Sequence, residues 1–343
     1  MNNRLFGLDL AKTAFHAVEV DQKGKQEWRR KFTRKQLKGF FENHVKVKIA
    51  MEACASAHYW ARLFQRMGHE VELLPPQHVK GYLRGQKNDY NDARAIAEAC
   101  HHGSIRPAVI KTVEQQDEQA FHRIRKQRIG EQTRLANQIR GLLGEYGIII
   151  NKGVSSVRKA LPVILEDADN GLTARFRELL NREYQRFLSL AEERVWFDKE
   201  LHNQSTNDPV CQRLSELPGF GPVVSSAVKS WMGDGKQFSR GRDASAALGV
   251  VPRQHSTGGK DRLLGISKRG DSYTRSQVIH GARSVAMHAA KKTDPLSRWI
   301  VRLIAGRGFN KAVVALANKL IRMAWVIIAR EEHYHAQNSV AAV

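Results

Sequence analysis

Between about residue 114 and residue 205 the chain carries a single proline, Pro162, and its apolar side chains recur every three or four residues. Leu135, Ile139, Leu142 and Tyr146 step by 4, 3 and 4, and Phe176, Leu180, Tyr184, Phe187 and Ala191 step by 4, 4, 3 and 4. That period predicts two long amphipathic helices. The stretch between them, around 147–171, holds Gly147, Gly153, Pro162 and Gly171 and reads as a linker with one short helix. Two arrangements satisfy the pattern: a coiled coil joining protomers, or a helical hairpin within one chain. Either way, this helical arm divides the chain into residues 1–112, 113–205 and 206–343.

The first segment has a different period. Residues 4–10, 13–20 and 26–33 read as three strands, with DQKGK (21–25) as a turn. A short helix is expected at 35–43, a strand at 45–52 (VKVKIAME), a helix at 57–68, a strand at 70–75 and a helix at 92–101. The order β-β-β-α-β-α-β-α predicts an α/β domain: a mixed sheet with helices packed on it.

Four acids stand out in that segment. Asp9 lies inside the first apolar strand, where an unpaired carboxylate is costly and a cation would relieve the cost. Glu52 ends the next strongly apolar strand, and the two side chains can meet if the strands are neighbours. Asp89 and Asp92, in KNDYNDARA, open a helix three residues apart, on one face. Oxygen ligands suit Mg²⁺ or Mn²⁺, and two such ions can serve the attacking and leaving oxygens of a phosphodiester. Each motif alone is weak, because acids at a helix start usually act as caps.

The charge agrees with a phosphate substrate. Lys and Arg number 56 against 34 Asp and Glu, a formal net charge of +22. Such a surplus fits a polyanion, since each cation placed at a phosphate releases counterions. DNA or RNA is therefore the expected partner. The 42% hydrophobic content excludes a disordered chain. Cys54, Cys100 and Cys211 are far apart with no CxxC pair, which argues against a disulfide framework or zinc knuckle and fits a reducing cytoplasm. His101 and His102 are adjacent on a helix, point in different directions and are not expected to bind metal. MNNRLFGLDLAK lacks the layout of a signal peptide, and Lys or Arg interrupts the apolar runs within about 18 residues, so no membrane span is expected.

In the last segment, PRQHSTGGKDRLLGISKRGD surrounds Ser256, Thr257, Gly258 and Gly259 with Arg253, Lys260, Arg262, Lys268 and Arg269. Glycines let a backbone approach a phosphate, and the cations would hold its oxygens. By chemistry alone this is a phosphate-binding segment. LPGFGPVVSSAV has the shape of a helix-hairpin-helix turn, in which Gly219 and Gly221 would present backbone N–H groups to a phosphate. An ordinary packing corner between two helices has the same pattern. Apolar helical runs at 273–290 and 310–330 close the chain.

Over nearly its whole length the chain resembles the IS110-type transposases, and in detail the IS1111 subgroup. The resemblance rests on GLDLAK, MEACASAHYWAR, KNDYNDARAIAEA, IRGLLGEYGI, LPGFGP, GVVPRQHSTGGKDRLLGISKRGD and NKAVVALANKLIRMAW. It implies an N-terminal RuvC/RNase H-like domain whose first and fourth strands are adjacent. That domain would carry a catalytic, metal-binding DEDD set, here Asp9, Glu52, Asp89 and Asp92. It further implies a coiled-coil arm assembling dimers and tetramers, and a mainly α C-terminal domain whose serine attacks DNA through a covalent phosphoserine. A structured non-coding guide RNA that pairs with donor and target DNA is implied as well, as is a site composed from two protomers in the bacterial cytoplasm, on the nucleoid. Matched onto this sequence, the nucleophile falls on Ser256 when counted back from Ile266–Lys268 and on Thr257 when counted forward from Pro252. Ser256 is favoured because the β-methyl of threonine hinders attack. Two rivals use the same residues: a metal-dependent, Holliday-junction-type nuclease with water as nucleophile, and a non-catalytic nucleic-acid scaffold.

Overall fold

Short, mostly apolar runs at the start of the chain, buried on both faces, produce the expected strands. The computed structural model describes residues 4–86 and 88–339. The chain divides into two compact units, Met1–Val113 and Glu114–Val343.

The first unit is a five-stranded mixed sheet in the order β3-β2-β1-β4-β5, formed by β1 (Leu5–Leu10), β2 (Ala14–Val20), β3 (Gln26–Thr33), β4 (Lys48–Glu52) and β5 (Glu70–Leu74). The strands β1, β2 and β3 form an antiparallel meander, while β4 and β5 run parallel to β1. Strand β4 begins three residues later than expected from sequence, and Val45 is exposed.

Helices α1 (Arg34–Glu42) and α2 (Ala57–Arg66) contribute to the core on one face of the sheet. Phe6, Leu8, Ile49 and Met51 point into that core, with Phe41, Trp60 and Phe64. After the short α3 (Pro76–Val79), helix α4 (Asp89–His101) supplies the other face, where Leu5, Val18, Val20 and Ala50 meet Ala93, Ile96 and Ala97. The strand period of two thus assigns each residue to one of two cores.

The second unit opens with α5 (Val113–Gly144), α6 (Val154–Glu166) and α7 (Ala174–Asn207). The two long helices and the short one between them appear as the spacing predicts. Within the chain, α5 and α7 are joined by Arg125–Asp198 at 2.5 Å, Arg128–Glu193 at 2.6 Å, and an edge contact between Phe121 and Phe197. They form an intramolecular helical hairpin.

The expected seam needs correction on α5. The buried residues are Leu135, Ile139 and Leu143, whereas Leu142 and Tyr146 are exposed, Tyr146 stacking on Phe176. With Gln132 and Ala136 also buried, the inward face of α5 lies one position on from the expected one and joins α6 and α7 in a shared core. On α7, Leu180 and Phe187 are buried as expected, but Leu190 takes the place expected for Ala191.

The remaining helices are α8 (Pro209–Ser215), α9 (Pro222–Met232), α10 (Gly241–Leu248), α11 (Ser272–His288), α12 (Pro295–Arg307) and α13 (Phe309–Ala329), with a hairpin of β6 (Pro252–Gln254) and β7 (Leu263–Ile266). They share one core, in which Leu316, Leu320 and Ile321 of α13 meet Val228, Leu248 and Val278. Although Lys319 and Arg322 interrupt it, α13 is long and apolar enough to cross a membrane by length and composition. Its most apolar window is 61% buried, as befits a central core helix. Buried His122 ties α5 to α9 and α11, with Nε2 at 2.9 Å from Ser226 Oγ and Nδ1 at 3.0 Å from the Tyr273 hydroxyl.

Candidate functional sites and family

In the first unit, Asp9 and Glu52 project from the same face of the sheet. Register fixes this: Leu8 pairs with Met51 across the parallel β1–β4 ladder, so Asp9 and Glu52 are the next residues along each strand. Leu8 and Met51 point into the opposite core.

The helix carrying Asp89 and Asp92 reaches them because β1 has no side chain at position 7. A Cβ on Gly7 would lie 2.2 Å from the carbonyl oxygen of Ala93 and 2.8 Å from the Cβ of Ala97. Backbone therefore packs directly on backbone, and the first turn of α4 comes down beside Asp9. Asn88 caps that turn, its side chain accepting from the Tyr90 amide at 2.9 Å.

The sequence did not single out His16. It sits opposite Asp9 in the β1–β2 register and is 5% exposed. One ligand atom each from Asp9, His16 and Asp89 lies within 4.8 Å of the others. His16 Nδ1 is 3.4 Å from Asp89 Oδ2, yet it has no partner in hydrogen-bond geometry. The hairpin register was the available signal, since Asp9 and His16 are equidistant from the β1–β2 turn.

Glu52 and Asp92 are outside this tight trio but close enough for their charges to act on it. Burial, and then the charges of Asp92, Asp89 and Glu52, push the Asp9 carboxyl up to about 6. Burial and Asp92 also raise Glu52, while the Lys80 ammonium opposes them. A half-buried group of like charges with an orphaned imidazole nitrogen is what a divalent cation would satisfy. The donor set, mostly carboxylate oxygen, fits Mg²⁺ or Mn²⁺.

In the second unit, Gly258 and Gly259 have φ of +55° and +75°, and Thr257 bridges Lys260. This is a two-residue hairpin turn of the primed type, which needs glycine-like backbone at both central positions. Local turn chemistry thus accounts for the Gly–Gly pair. The turn places Ser256 and Asp261 opposite each other. Ser256 Oγ donates to Asp261 Oδ1 at 2.6 Å, and Gln254 Nε2 donates to both Ser256 Oγ (2.9 Å) and Asp261 Oδ1 (3.1 Å). Those bonds, from Ser256 first and Gln254 second, hold the Asp261 carboxyl below its usual range. Asp261 and Gln254 were not singled out by sequence; symmetry about the Gly–Gly turn could have found Asp261. Arg253, Lys260, Arg262, Lys268 and Arg269 are all exposed. Lys268 adopts φ +57° where its amide donates to the Gly249 carbonyl, so its backbone also shapes a loop.

The LPGFGP turn joins α8 to α9. Gly219 has φ +82°, and a Cβ there would lie 2.6 Å from the carbonyl oxygen of Gly281 on α11. Gly219 therefore permits close helix packing. Gly221, at the N-cap of α9, is exposed with open space around it.

Residues 6–148 match a family model described as a transposase of the DEDD type of IS110, and residues 211–296 match the transposase family IS116/IS110/IS902. The probable family 20 transposase of Pseudomonas aeruginosa is 43% identical over 97% of this chain and 99% of its own length. The chain belongs to the IS110 family of transposases. The transposase for insertion sequence element IS1111A of Coxiella burnetii is 42% identical, covering 96% of this chain and 91% of that protein. The corresponding values for the IS1328 transposase of Yersinia enterocolitica are 36%, 95% and 97%. As an IS110-family transposase, the chain is a DNA-recombining enzyme, and DNA accounts for its cationic surplus. The Asp9 cluster falls within the first matched region and Ser256 within the second.

Proposed function

We propose that this transposase is a serine recombinase that cuts and rejoins DNA through Ser256, assisted by a divalent-metal site at Asp9, Glu52, Asp89 and Asp92 and directed by a structured non-coding RNA. In this reading residues 1–112 are a RuvC-like catalytic domain, 113–205 an assembly arm and 206–343 the transposase domain. The β1–β4 adjacency supports the first assignment.

The single observation that carries the reading is the 2.6 Å hydrogen bond from Ser256 Oγ to Asp261 at an exposed, cation-rich hairpin. Asp261 aims the hydroxyl and accepts its proton as Oγ bonds to phosphorus and the bond to the leaving sugar oxygen breaks. That oxygen takes a proton as it leaves. Arg253, Lys260 and Arg262 are placed to meet charge developing on the phosphate. The same bond favours Ser256 over Thr257, whose backbone is engaged in the turn.

In the other unit, Asp9, Asp89 and His16 are placed to hold a cation, with Glu52 and Asp92 completing its surroundings. When bound, Mg²⁺ or Mn²⁺ would polarise phosphate oxygens. Exposed Leu179, Val195 and Trp196 on α7 supply apolar surface for pairing arms between protomers, as a dimer or tetramer requires.

The test is to incubate the protein and its copurifying RNA with element-end DNA and Mg²⁺, then denature. The proposal expects a protein–DNA adduct that survives denaturant and maps to Ser256. Ser256→Ala should lose it while still binding DNA and RNA, and Asp261→Asn should slow its formation by about 10²–10⁴-fold. Metal-dependent cleavage without any adduct would instead make water the nucleophile, as in a junction-resolving nuclease. Sequencing the copurified RNA tests the guide: one structured species is expected, and random cellular RNA would remove that part of the reading.

A further inference from the structure

Beside the β6–β7 hairpin lies an open cavity of about 840 Å³, lined by Leu264 and Ile266 of the hairpin, Trp299 of α12, and Val314 and Lys319 of α13. Its walls are mostly apolar, but its charged groups are cationic: Lys319, Lys311 and Arg322 all line it.

Lys319 is the unusual member. It is 3% exposed, and its ammonium has no hydrogen-bond partner. Nζ lies 5.5 Å from the centre of the Trp299 ring, over the indole face. Burial, followed by the charge of Arg322, pushes the Lys319 ammonium below its usual range. A core helix gains nothing from such a residue unless something fills the cavity and accepts from it. Leucine or methionine at 319 would pack the site better.

We infer that this cavity is a nucleotide pocket that receives an unstacked base from a nucleic-acid strand bound to the transposase. An aromatic base matches the apolar walls and can stack on Trp299. A base carbonyl would satisfy the Lys319 ammonium. Lys311 is exposed and lies eight residues earlier on α13, about 12 Å along the helix, where it can meet the attached phosphate. The volume is within the range of small-molecule sites. Charge complementarity selects this occupant over a second copy of the chain, whose net charge is +22. The inference rests on the DNA-handling role of the family and is independent of whether Ser256 is the nucleophile.

The test uses a single-stranded 12-mer of deoxythymidine with one central 5-iododeoxyuridine, and the matching uridine 12-mer with 5-iodouridine. After irradiation, the cross-linked peptide is identified by mass spectrometry. An adduct on the peptide bearing Trp299 is expected; the stronger arm tells whether DNA or RNA supplies the base. Trp299→Leu should remove that adduct and weaken binding by about 5- to 100-fold. Lys319→Met should weaken binding similarly while raising the thermal midpoint without nucleic acid, because it removes an unpaired buried charge. That rise separates lost contact from lost folding. Adducts only at other residues, with affinity unchanged in both variants, would overturn the pocket. So would unchanged oligonucleotide binding combined with lost self-association, which would assign the cavity to a second copy. The denaturant-stable Ser256 adduct is scored separately, so failure of one idea leaves the other readable.

Discussion

The carbonyl oxygen of Ala93 lies so close to Gly7 that a Cβ there would be 2.2 Å away. That approach seats α4 on β1 and delivers Asp89 and Asp92 to Asp9. Gly7→Ala should therefore lift the helix, costing about 1–3 kcal/mol of stability, and weaken Mg²⁺ binding although no carboxylate has changed. Denaturant unfolding and calorimetric Mg²⁺ titration check the two effects. A variant that is destabilised but binds Mg²⁺ normally would disconnect the glycine from the site.

The Asp9 carboxyl, pushed up to about 6 by burial and its acidic neighbours, gives the first unit a defined pH response. Its folded value is above its unfolded one, so folding takes up a proton between roughly pH 4 and 6. Without metal, its contribution to stability declines as pH rises through that window. A divalent cation needs the ionised form, so its affinity should fall as pH drops below 6. The midpoint gain on adding Mg²⁺ should be larger at pH 7.5 than at pH 5, and Asp9→Asn should erase the difference. Equal gains at both pH values in the parent chain would contradict this.

Asp208 responds in the opposite sense. Burial raises its carboxyl, but bonds from the Lys229 ammonium and the Cys211 amide outweigh that and hold it below its usual range. A depressed carboxylate stabilises above its unfolded value, and the gain is lost as pH falls through the folded one. Asp208→Ala removes the α8 cap, worth about 1 kcal/mol, along with the pairing to Lys229. Acid melts should show the parent losing stability below pH 4 faster than this variant.

Gly219 and Gly281 leave each other no room for a side chain. Gly219→Ala, at φ +82°, should destabilise the second unit by about 1–3 kcal/mol, whereas Gly221→Ala, at an N-cap with open space around it, should cost no more than about 1 kcal/mol. If Gly221 instead holds phosphate through its amide, that mild variant will bind DNA normally, because alanine keeps the N–H. Gly221→Pro removes the donor, and filter binding of the two variants separates the roles.

Strand and helix periods made the elements legible, because each burial pattern is written locally in residues such as Phe6, Leu8, Ile49 and Met51. Asp9 and Glu52 stood out as carboxylates in apolar runs, whereas Asp89 and Asp92 showed only a helix-start spacing and were joined to them by the family resemblance. His16, Asp261 and Gln254 were not singled out, because each gains meaning only from the partner that a hairpin brings opposite or beside it.

The chain's order of residues determined a mixed sheet followed by long helices, acids in the first part and a cationic, glycine-containing segment in the last. Tertiary structure alone decided that Leu143, not Leu142, faces inward, that Gly219 serves helix packing, and that Lys319 is buried beside Ser256's hairpin. Local preference acts over a few residues, whereas these outcomes depend on which distant backbone arrives alongside, and only packing fixes that.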